Sequence, residues 1–337
     1  MWLFLGIWIL DIGISRSFAG APPNYYATTA SLTGPALRAE LHRLARTPHV
    51  SLTYSGTRTA LEFCDQDPAN VSNVILIYTR RSEPKSNFIN STPQNATQWN
   101  REHLWPNSRG ILDDGADYAD LFNLRPADVE VNADRGNLAF EETDSTAGMV
   151  VPGSAEAPQT SRDTNSWEPP PVVKGDIALA MFYMALRYDA DGPQEPDLNL
   201  TDNMGLVTGS APLMGRLTTL LLWHLDDPVS PAEMVRNDCV HQRQGNRNPF
   251  IDCPAWVTSI YGDPMQLTGT VSGSQVTLRW WAGLENSVPE TNTTLQSGAW
   301  STVPGTPAVS GGQKVLTVSA TGPRRFYRIR YRGIVSP

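Results

Sequence analysis

Trp99-Asn100-Arg101-Glu102-His103-Leu104-Trp105-Pro106 is followed by Asp120-Leu121-Phe122-Asn123-Leu124-Arg125-Pro126-Ala127-Asp128 and then by Val129-Glu130-Val131-Asn132-Ala133-Asp134-Arg135-Gly136-Asn137. Successive side chains of an extended strand point to opposite faces. Glu102 and His103 therefore diverge, and a turn, bulge or strand end is needed to set them around one shared group. Pro126 suits the first position of a short helix that Gly136 closes, with Asn132 projecting from its middle. Asparagine has poor propensity inside a helix, so its presence there calls for a reason.

These residue types match the needs of phosphodiester hydrolysis. The attacking water must lose a proton, a task suited to a neutral imidazole such as His103 near pH 7. Charge building on the phosphoryl and leaving oxygens suits a hard divalent cation held by oxygen ligands, and Mg2+ takes only one or two protein ligands while keeping several waters. Glu102 and Asn132 offer such oxygens. Asp128 lies one turn before Asn132 on the same face and is an alternative ligand. Arg109 and Arg125 are the candidates to reach phosphate, which an arginine can grip with two parallel bonds; Arg135 and Arg247 are weaker ones. Each residue alone also has a purely structural explanation.

Working outward, Leu37, Leu41 and Leu44 recur at helical spacing after Gly34-Pro35 and predict a helix from Pro35 to Ala45. Val74 to Tyr78 is a β-branched run expected as a buried strand, and 79–98 is polar and loop-like. Asp176 to Tyr188, apolar nearly all round, predicts a central buried helix, and Leu213 to Leu225 a second. Ser230-Pro231-Ala232-Glu233 joins a capping box to a proline at the first helical position, with Gly245 as the stop. After Gly262-Asp263-Pro264 the composition changes to Thr, Ser, Gly and Val in period-two alternation. Val276, Leu278 and Trp280 share one face there, as expected of a small β-sandwich.

The chain has 337 residues, 26 basic and 34 acidic, for a formal charge of −8. That balance argues against a protein that coats nucleic acid through many lysine and arginine contacts, but not against an enzyme with a local basic cleft. Trp2 to Leu10 is too short to span a bilayer, which needs about 20 residues, and Ser17-Phe18-Ala19 supplies the small residues of a signal-peptide cut. Residues 1–19 are thus expected to be an export signal, with no membrane span elsewhere. Cys239 and Cys253 flank a turn-rich segment and would close a loop of about fifteen residues, worth ~3 kcal/mol by chain entropy. Cys64 is then left over, as an apolar filler or as the true partner of one of them.

The central stretch resembles the bacterial endonuclease I family of secreted or periplasmic nucleases, in the ββα-metal (His-Me finger) superfamily. Other similar segments are Trp167-Glu168-Pro169-Pro170, Lys174-Gly175-Asp176 and Gly245-Asn246-Arg247-Asn248-Pro249-Phe250-Ile251-Asp252. Together they span roughly Leu37 to Tyr261. The resemblance implies His103 as general base, Glu102 and Asn132 as ligands of one Mg2+, and cleavage of DNA, and often RNA, with little sequence preference to leave 5′-phosphates. It implies a mainly helical nuclease domain, 22–262, containing a ββα-metal finger; with the small all-β sandwich-like module read from the alternation, 266–335, the expected fold class is α+β. Phe122 stands where many members have a histidine. The family's phosphate-steadying arginine has no certain counterpart; Arg109 is the first choice and Arg125 the second. Arg247 sits in a motif better read as a locked turn. The histidines outside the motif, His42, His49 and His224, lack metal-ligand company, so no zinc site is expected.

Two competing readings remain at this level: a degenerate nucleic-acid-binding protein, and an adhesion protein whose C-terminal tryptophans touch polysaccharide or a surface. A secreted or periplasmic monomeric enzyme is the expectation.

Overall fold

The computed structural model describes residues 20–89, 98–113, 115–190, 195–284, 287–295, 299–319 and 324–331. The expected export signal, 1–19, lies outside them. Among the described residues no helix is long and apolar enough to cross a membrane.

Helices form where apolar positions recur at helical spacing. α1 (Gly34–Arg46) buries Leu37, Leu41 and Ala45. α2 (Tyr54–Cys64), unannounced in the sequence reading, is capped by Thr53, whose hydroxyl accepts from the Gly56 N–H. β1 (Asn73–Ile75) and β2 (Ser82–Pro84) pair antiparallel. The strand expected to reach Tyr78 thus stops at Ile75. Leu76 N–H donates to Arg81 O and Arg80 N–H to Leu76 O, closing a turn whose Leu76, Ile77 and Tyr78 side chains are buried. A short apolar run does not distinguish a strand from a buried turn.

β3 (Trp99–His103) and β4 (Leu124–Asp128) form an antiparallel ribbon with Glu102 opposite Arg125 and His103 opposite Leu124. α3 (Val129–Arg135) follows directly. The helix therefore starts at Val129 and not at Pro126. Pro126 lies inside β4 opposite Arg101, where a ribbon with an open edge tolerates a residue without an N–H. Asp128 is the cap: its Oδ1 accepts from Glu130 N at 2.9 Å and Val131 N at 3.3 Å. Gly136, with φ +55°, ends the helix.

β5 (Ala139–Phe140), β6 (Ser161–Arg162) and β7 (Ser166–Glu168) make a small sheet in the order β5-β7-β6. α4 (Lys174–Arg187) is the axis of the core, buried from Ile177 through Arg187. Gly175 in its first turn is there for space: a Cβ would sit 1.9 Å from Asp227 O. β8 (Asn199–Leu200) pairs in parallel with β9 (Leu213–Met214), so the helix expected from Leu213 begins later, as α5 (Leu217–Asp226). α6 (Pro231–Gln244) begins and ends on its sequence signals, with Ser230 Oγ accepting from Glu233 N and Gly245 left-handed at φ +85°. α7 (Pro249–Asp252) and α8 (Ala255–Tyr261) close this part of the chain.

The disulfide joins Cys64 of α2 to Cys239 of α6, and Cys253 keeps its thiol. This corrects the Cys239–Cys253 expectation. Cys239 lies on the face of α6 that meets α2, a contact across 175 residues that local spacing does not reveal.

Beyond the helices, β10 (Leu267–Ser272), β11 (Gln275–Trp281), β12 (Ser287–Asn292), β13 (Ser301–Thr302), β14 (Ala308–Ser310), β15 (Gln313–Ser319) and β16 (Phe326–Tyr331) form two antiparallel sheets. Their orders are β10-β11-β15-β14 and β13-β12-β16. Val276, Leu278 and Trp280 share a cluster with Leu316, Ile329 and Leu222 of α5. Trp281 Nε1 donates to Asp202 at 3.1 Å.

Candidate active site

The segment leading into β4 is held by a buried carboxylate. Asp120 Oδ2 accepts from the Tyr183 and Tyr188 hydroxyls, both at 2.8 Å, and Oδ1 accepts from Phe122 N at 2.8 Å and Gln244 Nε2 at 3.0 Å. Gln244 Oε1 in turn accepts from Leu121 N. Arg236 of α6 donates to Leu121 O and Leu124 O while gripping both oxygens of Asp65. Asn123 brackets the Trp105 peptide, accepting from its N–H at 2.6 Å and donating to its O at 3.1 Å. A buried charge is tolerable only when its lone pairs are filled like this. The late polar motif serves the same frame: Asn246 Nδ2 donates to Ala45 O and Tyr183 Oη, and Asn248 Nδ2 to Leu179 O.

On that frame β3 carries Glu102 and His103 at its end, and α3, which carries Asn132, packs against the same strand. Glu102, 2% exposed, lies on the side of β3 that faces α3. Its Oε1 accepts from Tyr78 Oη at 2.6 Å and from Arg135 Nη1 at 3.0 Å. Burial pushes its carboxyl up from the ordinary range, opposed by Arg135 and Tyr78. Arg135 also donates to His103 O and Leu104 O, and so pins the end of β3. One turn earlier on α3, Asn132 Nδ2 donates to Asn100 Oδ1 at 2.7 Å and Arg101 O at 3.3 Å. Both bonds use the nitrogen, the second to the carbonyl of the residue before Glu102, and leave the amide oxygen outside them.

His103 is the last residue of β3 and leaves on the opposite side. Its ring stacks on Tyr54, with centroids 5.7 Å apart and planes 15° from parallel, and leans on Tyr118 at 4.9 Å. Its Nε2 bonds Tyr118 O at 2.9 Å. A carbonyl only accepts, so Nε2 carries the proton and, in the neutral ring, Nδ1 holds the lone pair. Burial pushes the imidazole down to about 4, the Tyr118 carbonyl working against it and the positive charges of Arg101 and Arg135 adding to it. The ring is therefore neutral at pH 7 with Nδ1 able to take a proton.

The arginines differ in what they can reach. Arg109 Nε and Nη2 both donate to Asn137 O, at 2.9 and 2.8 Å, while its buried Nη1 has no hydrogen-bond partner among the described residues. An unsatisfied donor on a buried cation is costly, and an anion would complete it. Arg125 is spent on Asp65 and Glu233 at 3.3 and 2.8 Å, and Arg247 on Asp238 and Asp252. With Arg135 clamped on Glu102, all three are buried against carboxylates; for Arg247 this is the locked turn that its motif suggests. Asp128, the alternative ligand, is occupied by its cap and by Arg81 at 2.5 Å.

The donor set decides which metal these residues would suit. Among the described residues no cluster of three or more His, Cys, Asp or Glu side chains is arranged to hold a metal. A carboxylate and an amide oxygen from adjacent elements instead fit a hard cation that keeps most of its own water, as Mg2+ does. Sequence reasoning missed Tyr78, which binds Glu102, and Asn100, which orients Asn132. It also missed Tyr54 and Tyr118, which hold His103. Tyr78 ends the run taken as a strand, and only the turn at Leu76 shows that it points inward.

A family model described as Endonuclease I matches residues 33–255, which covers the helices through α7 and none of the strands from Leu267 onward. An extracellular ribonuclease of Bacillus amyloliquefaciens is 44% identical over 240 residues, 71% of this chain and 78% of that protein. An extracellular ribonuclease of Bacillus subtilis (strain 168) is 42% identical over 240 residues, with the same coverage of 71% and 78%. An extracellular deoxyribonuclease of Aeromonas hydrophila is 30% identical over 133 residues, 40% of this chain and 49% of that protein.

Proposed function

The chain belongs to the endonuclease I family, and from that premise we propose that it is an extracellular nuclease that hydrolyses phosphodiester bonds of RNA and DNA with little sequence preference, leaving 5′-phosphates. The observation that carries this reading is the placement of His103, its Nε2 bonded to the Tyr118 carbonyl, at the end of the strand that holds Glu102 and meets Asn132.

In this mechanism His103 Nδ1 takes the proton of the attacking water, while Nε2–H···O from Tyr118 fixes the tautomer. Glu102 and Asn132 would hold one Mg2+, which when bound supplies neutralisation of charge on the phosphoryl and leaving oxygens. Arg109 Nη1 would meet a non-bridging phosphate oxygen, filling its open donor. No residue in this scheme uses a 2′-hydroxyl, so RNA and DNA are open to the same chemistry. RNA is placed first because the relatives named ribonucleases align over more of the chain, 71% against 40% for the deoxyribonuclease.

The test is to incubate purified protein with plasmid and, separately, with RNA, in Mg2+ or in EDTA, alongside His103→Ala. The expected result is cleavage of both that EDTA and the substitution abolish. Binding of nucleic acid without cleavage in any divalent ion would refute the enzymatic reading. Glycan binding by the full chain with indifference to nucleic acid would refute it in favour of adhesion.

A further inference from the structure

Both donors on Glu102 converge on the same oxygen. Tyr78 Oη reaches Oε1 at 2.6 Å and Arg135 Nη1 reaches it at 3.0 Å, although a carboxylate has two oxygens to offer. Each donor is rigidly held. Tyr78 is 1% exposed, sits in the turn closed by the Leu76 and Arg81 backbone, and packs edge-on against Trp167 at 5.5 Å. Arg135 is anchored by His103 O and Leu104 O and lies over the Phe140 ring at 4.6 Å. Trp167 and Phe140 themselves belong to β7 and β5, paired in register.

We propose that Tyr78 is a positioning residue that, with Arg135, clamps Oε1 of Glu102 and so presents Oε2 as the oxygen that meets a divalent cation beside Asn132. This rests on the reading of Glu102 as a metal ligand. A carboxylate on a three-bond side chain has rotational freedom, and two fixed donors on one oxygen remove it. Partners behind a metal ligand commonly set affinity this way, and their removal costs about 10- to 100-fold in metal binding. Trp167 then acquires a function at a distance, since it is the wall against which the Tyr78 ring rests. The sequence segment that contains it is otherwise remote from the site.

The experiment uses the full chain stripped with EDTA and titrated with Mn2+, the free ion being counted by its solution EPR signal. Tyr78→Phe keeps the ring and its packing while deleting the hydroxyl. It is expected to weaken Mn2+ binding about tenfold or more and to raise the Mn2+ needed for half-maximal cleavage by the same factor, with the rate at saturating Mn2+ within a few-fold of the parent. Parental Mn2+ affinity in a folded Tyr78→Phe would overturn the clamp. Should that variant not fold by circular dichroism, Arg135→Lys reads the other arm: weakened affinity supports the clamp and unchanged affinity overturns it. Glu102→Gln separates the two levels. If it binds Mn2+ as the parent does, the metal-ligand reading itself fails; if it loses binding while Tyr78→Phe keeps it, only the clamp fails.

Discussion

Breaking the Cys64–Cys239 bond should cost up to about 2 kcal/mol more than a local bridge would. The cross-link spans 175 residues, and in the chain-entropy relation the loss grows with the logarithm of loop length, giving about 5 kcal/mol at 25 °C. A Cys239–Cys253 bridge, closing about fifteen residues, would give only ~3 kcal/mol. Urea unfolding is the assay, run with and without dithiothreitol on the parent and on Cys64→Ala, Cys239→Ala and Cys253→Ala. The first two remove the same bond, so each should lose about 3–5 kcal/mol and become insensitive to dithiothreitol. Cys253→Ala, which removes a half-buried free thiol, should stay within ~1 kcal/mol of the parent and remain sensitive to reductant. A Cys64→Ala chain that still weakens in dithiothreitol, together with a Cys253→Ala chain that does not, would refute the pairing.

Arg109→Ala should lower kcat/KM by about 10²–10³-fold, the scale of one lost donor to developing charge, and, because it strips two hydrogen bonds from Asn137 O, also cost about 1–3 kcal/mol of stability; a parental kcat/KM would remove Arg109 from the site. Asp128→Ala deletes a cap that serves two backbone N–H groups and leaves Arg81 without that carboxylate. It should destabilise the fold by about 1–2 kcal/mol, measured by urea titration, and loosen the helix that carries Asn132. Tyr261 donates to Phe182 O and accepts from Arg38, and burial pushes its hydroxyl up to about 12. A raised folded value means that this stabilisation is complete below pH 10 and is lost as pH climbs through about 12, at up to ~1.4 kcal/mol per pH unit. Tyr261→Phe should therefore flatten the fall in unfolding free energy between pH 10 and 12, and an unchanged slope would contradict it.

Much of the fold was legible where a local signal is strong. α6 carries Ser230, Pro231 and Gly245 in the positions a helix start and stop require, and its ends fell where expected. α4 announced itself by being apolar all round. Pro126 misled because a proline fits both a helix start and an open-edged strand, and only the pairing with Arg101 distinguishes them. The candidate site was legible as residue types, Glu102, His103 and Asn132, since their chemistry is in their side chains. Its supports were not. Tyr78, Tyr118 and Asp120 act through partners between 15 and 124 residues away, and nothing in their own neighbourhoods marks them. The partners of Arg125 were hidden for a related reason: the buried carboxylates that hold it, Asp65 and Glu233, come from elements far along the chain.

The frame around Asp120 also bears on how such a protein is made. The segment that delivers β4 is tied by Arg236 and Gln244 of α6, so a ribosome must release those residues before the ribbon has its supports. The covalent tie from α2 to α6 needs, in addition, an oxidising environment. A nascent chain that has not yet released α6 therefore has the reactive side chains without the brackets that align them. The strand that carries Glu102 and His103 is thus synthesised early and supported late, its alignment waiting on the C-terminal turns of α6.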